Sequence, residues 1–205
     1  MELIRLTERN LQEAAKKAAD ILRRGGIVVY PTDTLYGLAV DPWNAAAVAR
    51  MKELKGREKK KPISVIVPNV HYIRECAEVT DAAKALAEKF LPGALTLVLK
   101  AKRMPENITL NGNIGVRIPN DPFCLALAKA YGKPFTTTSA NKAGMMVPET
   151  VDGIMREFAR ELHEIALIID DGPRTSRHPS TVVTCVTDTP HVLREGAITR
   201  AELGM

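Results

Sequence analysis

Aromatic residues are scarce in this 205-residue chain: one Trp, four Tyr and four Phe, 4% of the total. The core must therefore come from Ala, Val, Ile and Leu, and the stacking platforms that read single-stranded nucleic acid by sequence are not expected. Cysteine is almost as rare. Cys76, Cys124 and Cys185 are odd in number and far apart, with no C-x-x-C pair and no histidine at metal-ligand spacing. That excludes a disulfide framework and a zinc site of ordinary spacing, and leaves small buried thiols in a reducing compartment. Long apolar runs are missing too. Such runs are short, as at Ile27–Tyr30 and Ala166–Ile169, far below the ~20 residues of a membrane span. The opening Met1-Glu2-Leu3-Ile4-Arg5 lacks a basic segment followed by an apolar one, so neither a signal peptide nor a membrane partner is expected, and the location is expected to be cytoplasmic. Several chemical frameworks are absent: there is no G-x-x-x-x-G-K-[ST], no G-x-G-x-x-G and no G-x-S-x-G, so any ATP site must be built outside those designs.

What is present is a chain with 45% hydrophobic residues, enough for one compact domain without staples. A net charge of +5 and a pI near 9.2 favour anionic ligands or a nucleic-acid surface. Helical and strand patterns alternate. Leu11, Ala14, Ala15, Ala18, Ala19 and Leu22 follow a helical period, with Thr7 as the expected cap and Gly25-Gly26 as the stop. Further helices are expected from Asn44 to about Leu54, from Thr80 or Asp81 to Pro92-Gly93, from Asp121-Pro122 to Tyr131, and over Thr150–Leu162, with a last turn at Thr199–Leu203. Strands are expected at Ile27–Tyr30, Ile63–Val67, Leu95–Leu99, Ile114–Ile118, Phe135–Thr138 and Ile165–Ile169, followed by an antiparallel pair, Thr181–Val186 and His191–Leu193. The alternation predicts an α/β domain. No repeat or linker divides it, and the longest loops, Asn141–Glu149 and Asp170–Ser180, are candidates for function.

Five polar segments could carry chemistry. Pro31-Thr32-Asp33-Thr34 follows a strand, where α/β folds place ligands. It could equally be a turn bonded to its own backbone. Lys55-Gly56-Arg57-Glu58-Lys59-Lys60-Lys61 reads either as a phosphate trap or as a solvated basic loop. Arg117 interrupts an apolar strand and must reach solvent at an edge or find an anionic partner. Thr136-Thr137-Thr138-Ser139-Ala140-Asn141 offers hydroxyls and an amide at a turn that could hold an anion. Asp170-Asp171 could hold Mg²⁺, although a solvated turn is the simpler reading.

In this order and spacing, the five segments resemble the YrdC/Sua5 family of L-threonylcarbamoyladenylate synthases. The pattern Lys-x-Arg with Ser-x-Asn, here Lys55-Gly56-Arg57 and Ser139-Ala140-Asn141, carries the resemblance, together with Tyr30–Leu38, Pro92–Thr96, Gly115–Pro119 and Leu193–Ile198. It covers about residues 5–203. The resemblance implies a twisted, mixed β-sheet flanked by helices around a large basic concave cavity. It also implies that residues 1–205 form a single YrdC-like domain without the C-terminal domain of the longer Sua5 type. The implied reaction joins L-threonine, bicarbonate (or CO₂) and ATP into threonylcarbamoyl-AMP and pyrophosphate, for modification of adenosine 37 in tRNA. Mg²⁺ would accompany ATP, no protein metal ligand is expected, and a downstream tRNA threonylcarbamoyl transferase complex would take the product.

Carried over by the same match, Lys55 and Arg57 would be catalytic. These two, with Lys61, Ser139, Asn141 and Arg194, would bind ATP; Thr32, Thr34, Arg117, Thr138 and Ser180 would bind threonine. Where many members have Asn-Pro with a His four residues after the Pro, this chain has Lys61-Pro62 and Ile66, and Thr184 replaces an Asp often found after Ser-Thr-Val-Val. The alternative reading is an RNA-binding relative of the same fold, gripping tRNA or double-stranded RNA without synthase activity.

Overall fold

The computed structural model describes residues 1–56, 58, 61–174, 176 and 178–205. Its strands are β1 (Glu2–Arg5), β2 (Ile27–Tyr30), β3 (Gly37–Ala39), β4 (Ser64–Ile66), β5 (Leu95–Lys100), β6 (Asn113–Arg117), β7 (Phe135–Ser139), β8 (Ile165–Asp170), β9 (Thr181–Thr184) and β10 (His191–Arg194). The helices are α1 (Leu11–Arg23), α2 (Ala45–Leu54), α3 (Val70–Cys76), α4 (Asp81–Phe90), α5 (Pro122–Tyr131), α6 (Val151–Glu157) and α7 (Arg200–Leu203). The strands form one mixed ten-stranded sheet in the order β1-β8-β2-β3-β7-β4-β6-β5-β9-β10. Four neighbouring pairs are parallel: β1 with β8, β8 with β2, β4 with β6 and β5 with β9. The others are antiparallel, including the expected β9–β10 pair.

Strand alternation divides the core. Along β2, Ile27 and Val29 face one hydrophobic cluster while Val28 and Tyr30 face the other, the period of 2 that a pleated strand imposes. On the second face α1 lays Ala14, Ala15, Ala18, Ala19 and Leu22 against α5. These small side chains let two helices approach closely, and Tyr30, Phe123, Tyr131 and Phe135 pack in the same cluster, with the Tyr30 ring edge-on to Phe135 at 5.7 Å. The first face packs Met51, Leu54, Ile73, Leu86, Ile154 and Phe158 from α2, α3, α4 and the α6 region. All three cysteines are buried and free, and burial pushes the Cys76 and Cys185 thiols up to about 11.

Side-chain caps start the helices where the sequence puts them. Asn44 accepts from the Ala47 N–H at 3.0 Å, Thr80 from Ala83 at 3.2 Å, Asp121 from Cys124 at 2.9 Å and Thr150 from Gly153 at 3.1 Å. Thr7 does not cap α1. A turn intervenes, closed by the Thr7 N–H on Asn10 Oδ1 (2.8 Å) and the Asn10 N–H on Thr7 Oγ1 (3.3 Å), and the helix starts at Leu11. The helix expected over Thr150–Leu162 ends at Glu157, because the chain tightens through a turn into the 3-10 segment Leu162–Glu164. Edge strand β1, the three-residue β3 and the two-turn α3 have no counterpart in the sequence reading; each is too short to show a period.

No helix among the described residues is long and apolar enough to cross a membrane.

Candidate active site

A cavity of about 760 Å³ opens on the sheet, within the range of small-molecule sites. Its walls come from the C-terminal ends of β2, β6, β7 and β10 and from the starts of β4, β5 and β9. They include Thr32, Thr34, Ser64, Thr96, Arg117, Thr138, Ser139, Glu149, Ser180 and Arg194. Glu149 is the one carboxylate among the described lining residues, against the two guanidiniums of Arg117 and Arg194.

The loop after β2 is a turn rather than extended chain. Thr32 Oγ1 accepts the N–H groups of Thr34 (3.0 Å) and Leu35 (3.1 Å) and donates to the Leu35 carbonyl at 2.6 Å. The two threonine hydroxyls still meet, at 3.0 Å. Arg117 at the end of β6 resolves the choice its sequence left open, for it finds an anionic partner. Its Nη2 donates to Asp33 Oδ1 at 2.5 Å, Nη1 to Thr34 Oγ1 at 3.0 Å and Nε to the Gly93 carbonyl at 3.3 Å. Asp33 also accepts from the Asn120 N–H at 3.1 Å. With only 8% and 14% of the two side chains exposed, this pair is held in place rather than solvated.

Opposite, Ser180 shares a hydrogen bond with Thr96 at 2.8 Å, and Arg194 donates to the Ser180 carbonyl at 2.7 Å. Burial, reinforced by the nearby Arg117 charge, lowers the Arg194 pKa. No described carboxylate pairs with Arg194, so its guanidinium is available to an anion. Gly196 allows this corner to close: a Cβ there would sit 2.2 Å from the Pro179 carbonyl oxygen.

The Lys55 and Ser139-Ala140-Asn141 segments do meet. The Lys55 ammonium donates to the Ser139 carbonyl and, at 2.5 Å, to the Asn141 carbonyl. Asn141 Oδ1 accepts from Ser139 Oγ at 2.6 Å. Lys55 and Asn141 are nonetheless buried outside the cavity lining, whereas Ser139 and Thr138 line it. Gly56 takes φ +58° to end α2, its N–H on the Glu53 carbonyl at 2.8 Å. Lys61 is not brought to the cavity; its half-exposed side chain lies 3.4 Å from Glu58, and the neighbouring Pro62 lines the wall instead. Arg57 lies outside the described residues, as do Lys59 and Lys60 of the same basic segment. Ile66 packs in the core at 1% exposure and faces no ligand space.

Three contributors escaped the sequence reading. Asp33 looked like a local turn former, and its partner lies 84 positions away. Ser64 and Thr96 looked like ordinary strand positions, although Ser64 as the lone polar residue in Ile63–Val67 was a readable signal. Asp170 and Asp171 form no metal site: Asp170 accepts from the Gly172 N–H at 3.0 Å and Asp171 pairs with Arg174 at 2.5 Å. Among the described residues no three His, Cys, Asp or Glu side chains converge on a metal-sized space.

Residues 20–196 match the Sua5/YciO/YrdC family model, described as "Telomere recombination". A Methanocaldococcus jannaschii relative is 38% identical over 201 residues, covering 96% of this chain and 94% of its own. Bacillus subtilis threonylcarbamoyl-AMP synthase is 33% identical over 191 residues, which cover 91% of this chain but 54% of that protein. The crystal structure of P. abyssi Sua5 complexed with L-threonine superposes with a TM-score of 0.91 at 31% identity, over 99% of this chain and 60% of that one.

Proposed function

The chain belongs to the Sua5/YciO/YrdC family, and from that premise we propose that it is a threonylcarbamoyl-AMP synthase, a transferase that makes an adenylate from L-threonine, bicarbonate and ATP. The observation that carries the reading is the pairing of Arg117–Thr34 with Arg194–Ser180 across one cavity whose third wall is Thr138–Ser139. It offers two cations and a ring of hydroxyls to substrates that are all anionic or carboxylate-bearing.

The chemistry needs little from the protein beyond placement. The neutral threonine amine condenses with bicarbonate to give a carbamate, with loss of water. A carbamate oxygen then forms a bond to the α-phosphorus of ATP as the bond from that phosphorus to the bridging oxygen breaks, and pyrophosphate leaves. Transfer at phosphorus is mostly positioning and charge stabilisation. Arg117 and Thr34 suit the threonine carboxylate, with Thr32 and Ser180 completing that pocket. Arg194 and Ser139 suit the nucleotide, and a cation beside the departing pyrophosphate lowers the barrier as charge builds there. The carbamate is already anionic, so its attack requires no general base.

Mg²⁺ enters this reading with ATP. Among the described residues the cavity has one lining carboxylate, Glu149, too few for a protein-held ion site; the triphosphate would carry the ion. tRNA and the transferase that consumes the adenylate are the partners this product implies.

The test is a mixture of protein, ATP, L-threonine and bicarbonate, followed for pyrophosphate and the adenylate. Release that requires all three substrates is expected. Release that ignores threonine would sink the proposal, and duplex-RNA binding with a steep salt dependence but no turnover would favour the RNA-binding reading.

A further inference from the structure

Lys55, expected at the phosphates, spends its ammonium elsewhere. The residue is 3% exposed and absent from the cavity wall. Its protons meet three oxygens of one turn: the Ser139 carbonyl, the Asn141 carbonyl at 2.5 Å and Asn141 Oδ1 at 3.3 Å. An ammonium has three donors, and in a buried place each must be matched. The backbone joins in, since the Ala143 N–H donates to the Lys55 carbonyl at 2.7 Å. Lys55 thus ties the end of β7 to the end of α2 at two points.

The effect reaches the cavity through Asn141. Its Oδ1 takes the Ser139 hydroxyl at 2.6 Å, and its Nδ2 donates to the Met145 carbonyl at 2.6 Å. Ser139, Met145 and Met146 all line the cavity. With Met145 61% and Met146 91% exposed, the loop has little apolar burial of its own to hold it, so these tethers fix its course.

We propose that Lys55 is a positioning residue: it straps the Ser139-Ala140-Asn141 turn and the Met145–Met146 loop into the shape that receives the nucleotide, and does not itself contact phosphate. A ligand phosphate could reach this ammonium only by taking it from carbonyls that would then be left buried without a donor. The assignment deepens the synthase reading but rests on it only for the identity of the ligand.

Three measurements test it. In Lys55→Met without ligand, amide hydrogen exchange at Ala143 and Met145 should speed up at least tenfold. Binding of ATP, ADP and AMP should weaken by one common factor of about tenfold, because the same wall is loosened for each. Should that variant fold poorly, the wild-type protein decides: acylation of the Lys55 amine by a small amine-reactive ester should be slow with and without ATP. Unchanged exchange with a loss graded ATP over ADP over AMP, or rapid acylation that ATP blocks, would overturn the strap and make Lys55 a phosphate ligand. If the wild type binds no adenine nucleotide, the synthase proposal fails, while the exchange and acylation arms still decide the strap.

Discussion

The two walls of the cavity are held by different means. On the Arg117 side, a nearly buried ion pair ties the loop after β2 to the end of β6, and Tyr36 and Arg174 brace it: the Tyr36 hydroxyl donates to the Gly172 carbonyl at 2.7 Å, and Arg174 lies over its ring. On the Ser139 side, an exposed loop is fixed by hydrogen bonds that converge on Lys55 and Asn141. Arg194 stands between the walls as a cation with no described carboxylate partner. A charge already neutralised by Asp33 can orient a small carboxylate ligand with little rearrangement, while the unpaired charge of Arg194 is the stronger draw for a polyanion. The first wall is therefore coupled strongly to stability, and Arg194 chiefly to binding.

Arg117→Ala should break that contrast most. It removes one partner of a buried pair and leaves Asp33 uncompensated, a loss of about 3–5 kcal/mol. Denaturant unfolding should register it, and threonine-dependent pyrophosphate release should vanish. Arg194→Ala should do the opposite. With only the hydrogen bond to the Ser180 carbonyl to lose, stability should fall by no more than about 1 kcal/mol, while kcat/KM for ATP falls on the order of tenfold to a hundredfold, the worth of one or two charge-assisted hydrogen bonds. A stability loss in Arg194→Ala equal to that of Arg117→Ala would erase the distinction between the walls.

Tyr36→Phe should sharpen it at smaller scale. It removes the hydroxyl that bridges Gly172 and Asp171, at about 1 kcal/mol of stability. Burial pushes the Tyr36 pKa up to about 12, so the folded hydroxyl stays protonated; the difference between variant and wild type should be flat from pH 6 to about pH 9 and shrink above that, as the unfolded tyrosine ionises near its ordinary pKa of about 10. The smallest effect belongs to a pair outside both walls, Asp41 with Lys133 at 2.8 Å. Burial works against the Asp41 carboxylate, but bonds from Lys133 and the Trp43 N–H outweigh it and hold its pKa below the ordinary value of 3.8. A lowered carboxylate contributes stability above its unfolded pKa and loses it as pH falls through the folded one. The difference between wild type and Asp41→Asn, at most about 1 kcal/mol for a pair with a half-exposed lysine, should be level at neutral pH, begin to shrink near pH 4 and vanish only once the pH has fallen through the lowered folded pKa. A difference that grew on acidification would contradict the sign.

Much of the fold was legible because its determinants are local. Asn44, Thr80, Asp121 and Thr150 cap the next turn of their own helices, and alternating apolar residues along Ile27–Tyr30 and Ile165–Ile169 state their own period. Short elements such as β3 were invisible, since Gly37-Leu38-Ala39 is a strand only because β2 and β7 flank it. Of the residues that the sequence put in the site, Thr32, Thr34, Arg117, Thr138, Ser139, Ser180 and Arg194 line the cavity while Lys55, Lys61 and Asn141 do not, and the contacts among them were not legible. Nothing near Arg117 announces Asp33, and nothing near Lys55 says that its ammonium turns to carbonyls 84 and 86 positions away.

The amino-acid sequence by itself determined the alternation of helix and strand, the caps, the small-residue core and the order of polar segments that marks the family, because each depends on neighbours within a turn or two. The tertiary structure alone decided which charges are paired, which are left for a ligand and which lysine faces inward. Those outcomes depend on burial and on partners that only the assembled ten-stranded sheet brings within hydrogen-bond distance.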